Sequence, residues 1–332
     1  MQQQANWQPS ATIQNVVLKN TILAKIRGYF ESEGVLEVDT PVLSKSTVTD
    51  LHLDALETIH TNPLSVKRTH LFLQTSPEYY MKRLLCAGFP SIFQIAKCFR
   101  DDEVGRYHSP EFLMLEWYRL DFCMQELIDD VMEVLRLTLN VEGYQQITYA
   151  SLFEKHLNID ITGVSCLELQ AACSKYGFED IVSKLNNSQN QSSDIDLMLQ
   201  LLFCELIEPL IGKDSPVVVT HFPASQASLA ALNVDNPIFA ERFEVYYRGV
   251  ELANGFEELG DHDELRERFN SDNKLREINS KKQKPLDEKF LQAMEAGLPS
   301  CSGVALGLDR LLMIAANSEH IREVQSFSFD AW

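Results

Sequence analysis

Apolar residues return at helical intervals between Ile13 and Glu33, at Val16, Val17, Ile22, Leu23, Ile26 and Phe30, which predicts one amphipathic helix with Gly34 as its stop. Val35 to Pro41 then reads as a short strand, closed by a proline that cannot donate to a ladder and so belongs at a sheet edge or end. Strands are also predicted over Leu71 to Gln74, Ser91 to Arg100 and Phe112 to Leu120, the last two flanking a charged loop. Ahead of that pair, Ser76 and Pro77 carry the capping and first-turn chemistry of a helix start. Met124 to Leu139 repeats Leu127, Ile128, Val131, Val134 and Leu135 on one face and is predicted helical. From 141 to 212 the texture changes, with helices over Leu167 to Tyr176 and Ile195 to Ile207 around a Ser/Asn/Gln-rich loop from Asn186 to Ser193. That stretch is read as a helical insertion. Strand patterning returns at Pro216 to Phe222 and Glu241 to Phe256, a charged helix spans Asp261 to Ser280, and the chain closes on a strand and a helix. The expected architecture is a single domain over residues 1–332 that contains the insertion.

Composition narrows the class. A chain of 332 residues, 45% hydrophobic, is long enough for one large mixed core. Its formal net charge of -19 disfavours broad adhesion to nucleic acid or an anionic membrane, though a local basic cleft remains compatible with it. The seven cysteines are odd in number and form no Cys-x-x-Cys pair, which predicts reduced thiols in a cytosolic setting and no structural zinc. The eight histidines are too scattered for a His-based metal site. The polar start, Met1 to Ser10, has no apolar core, and no run of about 18 apolar residues occurs, so neither export nor a membrane span is expected.

Two arginines carry the candidate chemistry. Arg100 ends a predicted strand and opens the loop Asp101 to Pro110, which adds Arg106 and His108, while Phe112 on the return strand offers a face for a purine. Far downstream, Arg310 closes Gly303 to Arg310, a run in which small residues alternate with Val304, Leu306 and Leu308. Planar guanidinium groups on either side of one pocket suit a nucleoside triphosphate, because each presents a fixed fork of donors. Between them, Glu241 to Glu251 reads as two strands joined by an Arg248-Gly249 turn. In that register Tyr246 opposes Glu251, which makes Glu244 and Glu251 diagonal neighbours on one face, a hard-oxygen pair suited to Mg²⁺. The acids Glu78, Glu116, Glu257 and Glu258 gather around the same predicted pocket, and this density predicts a cationic substrate end. Simple alternation puts Asn254 and Glu258 on the face opposite Glu251, unless a bulge at Gly255 intervenes.

The segment Phe99 to Tyr118 and the closing Gly307-Leu308-Asp309-Arg310 resemble motifs 2 and 3 of the class II aminoacyl-tRNA synthetases, and the first helix, strand and Pro41 resemble motif 1. Ser76-Pro77-Glu78, Met114 to Tyr118 and Asn254 to Leu259 are similar to the lysyl-tRNA synthetase catalytic domain. The first helix starts by about Ile13, so the amino-terminal anticodon-binding domain of that synthetase is expected to be missing. The shortened layout, with Trp7 to Ala11, Ser46 to Asp50 and His221 to Ala230, resembles the elongation factor P-(R)-β-lysine ligase family.

That resemblance implies an α+β class II synthetase fold with an antiparallel six- or seven-stranded sheet flanked by helices, and a homodimer. It implies an ATP- and Mg²⁺-dependent ligase that joins (R)-β-lysine or lysine to elongation factor P, with no tRNA charged. Ser76, Pro77, Glu78, Tyr118 and Glu258 would then hold the substrate, supported by Glu116 and Asn254. ATP would be held by Arg100, Asp101, Asp102, His108, Ser109, Phe112, Glu251, Leu252, Gly307 and Arg310, with Arg100 and Arg310 as the catalytic pair, and Mg²⁺ by Glu244 and Glu251. Asp101 and Asp102 stand where the family has Asn-Glu, and Ser109 where it has Asn. Ala305 replaces a glycine of lysyl-tRNA synthetase, and its methyl group is expected to bear on the choice between α- and β-lysine. A tRNA-charging synthetase and a catalytically silent amino-acid sensor remain open as other readings.

Overall fold

In the computed structural model, which describes residues 7–101, 103–185 and 191–329, Thr12 opens the first helix by accepting the Asn15 N–H on its hydroxyl at 3.2 Å. This helix, α1, runs from Ile13 to Ser32, and Gly34 turns the chain out of it at φ +69, a conformation that favours glycine. Ile22, Ile26 and Phe30 are buried along one face, as their spacing predicts. The strands in chain order are β1 (Leu36–Glu37), β2 (Leu43–Ser44), β3 (Glu57–Thr61), β4 (Arg68–Leu73), β5 (Ile92–Phe99), β6 (Glu111–Leu120), β7 (Gln145–Thr148), β8 (Val217–Thr220), β9 (Arg242–Tyr247), β10 (Val250–Glu257) and β11 (Cys301–Gly307). The chain divides into two compact units, one running to Glu142 and resuming at Leu252, the other spanning Gly143–Glu251.

The first unit is built on β1, β5, β6, β11 and β10, in that order. Alternation along the strands sorts their side chains onto two faces. Phe93, Leu115, Trp117, Val304 and Leu306 share one face, where Phe30 of α1 stacks on Phe93 at 4.5 Å between ring centres and tilts against Trp117 at 5.3 Å. The helix α3 (Met124–Leu139) packs there as well, as does the helix Leu308–Ala316. The opposite face carries Gln94, Glu116, Tyr118, Gly303, Ala305 and Asn254. Helix α2 (Glu78–Cys86) covers one end of that face, packing Met81 and Leu85 against Ile92, Tyr118 and Cys301. A small antiparallel sheet, β2-β4-β3, completes the unit's strands.

In the second unit β8 pairs parallel with β7 and antiparallel with β9. Its core is aromatic, with Tyr149 stacked on Phe203 at 4.9 Å and Phe153 and Phe222 beside them. The helix predicted over Ile195 to Ile207 begins earlier, at Gln191, and after Leu202 gives way to a π-helical turn over Phe203–Ile207. Residues 186–190 of the polar loop lie outside the described residues, and Gln191 to Ser193 form the helix's opening turn instead. The helix over Leu167 to Tyr176 is found at Cys166–Lys175. The helix Tyr149–Leu157, unforeseen in the sequence, starts at Thr148, whose hydroxyl accepts the Ser151 N–H at 3.1 Å.

Three expectations are corrected. Five strands in the first unit's main sheet and three in the second make eight, not six or seven, and β1–β5 and β7–β8 are parallel where an antiparallel sheet was expected. Each parallel pair is separated in sequence by a long connection, which is what parallel pairing requires. The strand expected over Val35 to Pro41 forms ladder only at Leu36–Glu37, because Val38 is the last residue there to donate to β5's backbone. At α2, Pro77 is the N-cap and not a first-turn residue, although Ser76 Oγ still accepts the Glu78 N–H at 3.0 Å.

Candidate active site

Arg100 leaves the end of β5 and donates its backbone N–H to Pro110 O at 3.0 Å, which closes the loop between them. Its guanidinium lies over the Phe112 ring, 5.1 Å from the centroid, and 3.4 Å from Glu103 Oε1. Its Nε is buried without a hydrogen-bond partner, a donor still in need of an acceptor. Arg310, in the first turn of Leu308–Ala316, reaches the same loop: Nη2 is 2.7 Å from His108 Nε2, and Nε donates to Tyr107 O at 3.4 Å. The neighbouring Asp309 is buried and accepts the Leu113 N–H at 3.0 Å, which ties this helix to the return strand of the loop. The structure therefore brings Arg310 to the loop that Arg100 opens.

Other predicted residues of this region divide in their surroundings. Ser109 is buried with its hydroxyl unpartnered, whereas Asp101 is exposed and donates its N–H to Asp54 O at 2.8 Å. Asp102 lies outside the described residues. Arg106, expected to reach phosphates, instead donates Nε to Glu319 O at 2.7 Å. Gly307 allows a close approach, since a Cβ there would stand 3.3 Å from Arg310 Cδ. Leu252 is buried in β10.

The polar face of the first sheet supplies the second set. Gln94, Glu116, Ala305 and Asn254 form one rung across β5, β6, β11 and β10, and Ile92, Tyr118, Gly303 and Phe256 form the next. The β10–β11 ladder runs unbroken from Ala253 to Glu257, so the bulge considered at Gly255 does not occur there. Glu116 is buried and accepts from Tyr118 OH at 2.6 Å and Ser76 Oγ at 2.8 Å. Burial, and then the charge of Glu78, push its carboxyl up to about 7. Glu258 follows β10, donates its N–H to Cys301 O at 3.1 Å and turns its carboxylate inward. Burial lifts that group to about 8; Lys82 opposes the shift, while Glu78 and Glu116 add to it.

Lys82, one turn after Glu78 in α2, is not singled out by the sequence. It is 1% exposed, donates to Glu78 Oε1 at 2.6 Å and pairs with Glu258 Oε2 at 2.5 Å. Glu258 Oε1 is buried without a hydrogen-bond partner. Burial works against the Lys82 charge, but Glu258 and Glu78 outweigh it and hold the ammonium above its usual range. The cue in the sequence is an i,i+4 Glu-Lys pair, which ordinarily marks a solvated helix face. Gly303 is a second position that the sequence does not mark. Its neighbours leave no room for a side chain, since a Cβ would stand 2.4 Å from both Glu258 Oε1 and Tyr118 Cε1.

Glu244 and Glu251 belong to the second unit. The Arg248-Gly249 turn adopts φ values of 51 and 72, the left-handed pair that a two-residue hairpin turn demands. Glu244 is buried, with Oε1 2.5 Å from Arg242 Nη2 and Oε2 accepting from Tyr246 OH. Burial raises its pKa, Arg242 counters, and the charge of Glu251 adds to the rise, so the two carboxylates sense each other. Among the described residues no group of three or more His, Cys, Asp or Glu side chains is set to hold a metal unaided. A carboxylate pair fits Mg²⁺ as that ion is usually held, with substrate phosphates and water as its further ligands.

Comparison with known proteins identifies the family. The family of class II tRNA synthetases (D, K and N) matches residues 5–331, and the chain belongs to that family. It is 45% identical over 327 residues to the elongation factor P-(R)-β-lysine ligase of Hamiltonella defensa subsp. Acyrthosiphon pisum, covering 98% of each chain. It is 46% identical over 330 residues to the ligases of that name from Salmonella dublin and Salmonella paratyphi B, covering 99% of each. No helix among the described residues is long and apolar enough to cross a membrane.

Proposed function

We propose that the protein activates (R)-β-lysine with ATP and transfers it to a lysine side chain of elongation factor P, in the cytoplasm and as a homodimer, with no tRNA as acceptor. The observation that carries the substrate class is the gathering of buried Glu116 and Glu258 beside Glu78, carboxylates whose charges push one another's pKa up, since an ammonium neutralises them and supplies donors. In the first step the substrate carboxylate attacks the α-phosphorus, the bond to the bridging oxygen breaks and pyrophosphate leaves. Arg100 and Arg310 stabilise the phosphate charge, mostly through position and electrostatics. Glu244 and Glu251 would hold Mg²⁺, an ion that would supply charge neutralisation to a nucleotide's phosphates. In the second step a neutral lysine ε-amine attacks the adenylate carbonyl, the amide C–N bond forms, AMP leaves and the amine gives up a proton. Ser76 and Tyr118 keep Glu116 aimed through both steps.

Incubation of the enzyme with ATP, (R)-β-lysine and elongation factor P is expected to add one lysyl residue to the factor, read by intact-protein mass spectrometry. Aminoacylation of tRNA in its place would overturn the proposal. The rung that sets Ala305 between Glu116 and Asn254 adds a selectivity test. Ala305→Gly is expected to narrow the preference for β- over α-lysine by about 1–3 kcal/mol, the usual scale for one methyl group in a pocket. Relative kcat/KM for the two isomers in ATP–pyrophosphate exchange measures this, and an unchanged ratio dismisses the role of the methyl.

A further inference from the structure

We infer that Lys82 is a positioning residue that tunes the substrate recess to two positive charges, so that a diamino acid is taken and a monoamino acid is refused. This rests on the functional reading above and deepens it. Glu78, Glu116 and Glu258 face one another across α2, β6 and the end of β10, and each raises or is felt by the others' carboxyl groups. Against these three carboxylates, among the described residues, stands the Lys82 ammonium, within 2.6 Å of Glu78 and 2.5 Å of Glu258. Among the described residues, the other titratable groups that sense these charges include Tyr79 and Cys86 on α2, Tyr118 on β6, Cys98 on β5 and Cys301 on β11. Burial pushes all five upward, so they stay neutral near pH 7 and leave the count unchanged. Three carboxylates less one ammonium leave two charges to be met, which is what the two ammonium groups of β-lysine bring.

Lys82 is fixed too deeply to act as the attacking or proton-accepting group. Its part is to hold Glu78 and Glu258 at one spacing and to keep the carboxylates ionised over a working range of pH. Removing its charge removes an influence that lowers both Glu258 and Glu116. The recess then reaches its ionised, ligand-binding form only at higher pH. Removing the Glu78 charge acts in the opposite sense, since Glu78 raises both groups.

ATP–pyrophosphate exchange across the neutral pH range, with (R)-β-lysine and with 6-aminohexanoate as the monoamino probe, tests this on wild type, Lys82→Met, Lys82→Arg and Glu78→Gln. Lys82→Met is expected to raise KM for β-lysine about tenfold or more, with kcat changed less, and to move the acid limb of kcat/KM up by about 0.5–1 pH unit. Lys82→Arg keeps the charge and should leave the limb in place; Glu78→Gln should move it down. A limb unmoved by Lys82→Met, or moved equally by Lys82→Arg, overturns the inference and leaves Lys82 a space-filling residue. Should the Met variant not fold, Glu78→Gln decides alone, and a limb that stays or rises sinks the idea. Wild type that uses 6-aminohexanoate as well as β-lysine also overturns it. Absence of wild-type exchange with either lysine isomer fails the functional reading itself and takes this inference with it.

Discussion

Arg310→Ala is expected to lower ATP–pyrophosphate exchange by about 10²–10³-fold, the usual loss when one preorganised donor to a developing anion is removed. The side chain leaves the first turn of Leu308–Ala316 and crosses to the loop opened by Arg100, where it meets His108 at 2.7 Å and the Tyr107 carbonyl at 3.4 Å. Its removal therefore takes away a phosphate donor and a support for the loop at once. Arg310→Lys separates the two contributions. A lysine keeps the charge but loses the planar fork, so it should recover little if bidentate phosphate contact is what matters. KM for ATP should rise and kcat fall in both variants, while the melting temperature stays near wild type, because Asp309, not Arg310, ties this helix to the Leu113 backbone. Exchange by Arg310→Ala within tenfold of wild type would remove Arg310 from the catalytic pair.

Gly303→Ala is expected to cost kcat/KM for the diamino acid about 10²-fold or more while KM for ATP stays close to wild type, since a displacement near 1 Å in a substrate-positioning group has an effect of that order. The cause is space, not backbone conformation. The new methyl would stand 2.4 Å from Glu258 Oε1 and 2.4 Å from Tyr118 Cε1, so one of the two side chains must move. Tyr118 is pinned by its bond to Glu116 and packed on Met81 and Leu85, which leaves Glu258 to be displaced from its place beside Lys82. Overpacking of this kind also costs about 1–3 kcal/mol of stability. Parallel exchange kinetics and thermal melts check both parts. Retention of activity within about threefold, well below the scale of a displaced positioning group, would mean that the recess is looser than its contacts indicate.

Much of this site is legible in the order of residues along the chain. Arg100, His108, Phe112, Glu116, Tyr118 and Arg310 are marked by residue type and sequence, and the Arg248-Gly249 turn by its glycine. Helices α1 and α3 are readable because a period of 3.6 is a local property, visible within one window of sequence. Lys82 is not legible, since an i,i+4 Glu-Lys pair looks the same on a solvated helix as in a buried recess until Glu258 arrives from a distant strand. Gly303 is likewise one small residue among several in its strand, and only the antiparallel register sets it against Tyr118 and Phe256.

The sequence alone determined the chemical inventory: two guanidinium groups, an aromatic platform and an excess of acids in an order that resembles one synthetase family. Tertiary structure decided which of those acids face one another, which way the end strands pair, and that Lys82 stands among the carboxylates. The division follows from range. Side-chain periodicity and turn chemistry act over a few residues, whereas strand register and the desolvation that lifts Glu116 and Glu258 exist only once segments far apart in the chain exclude water together.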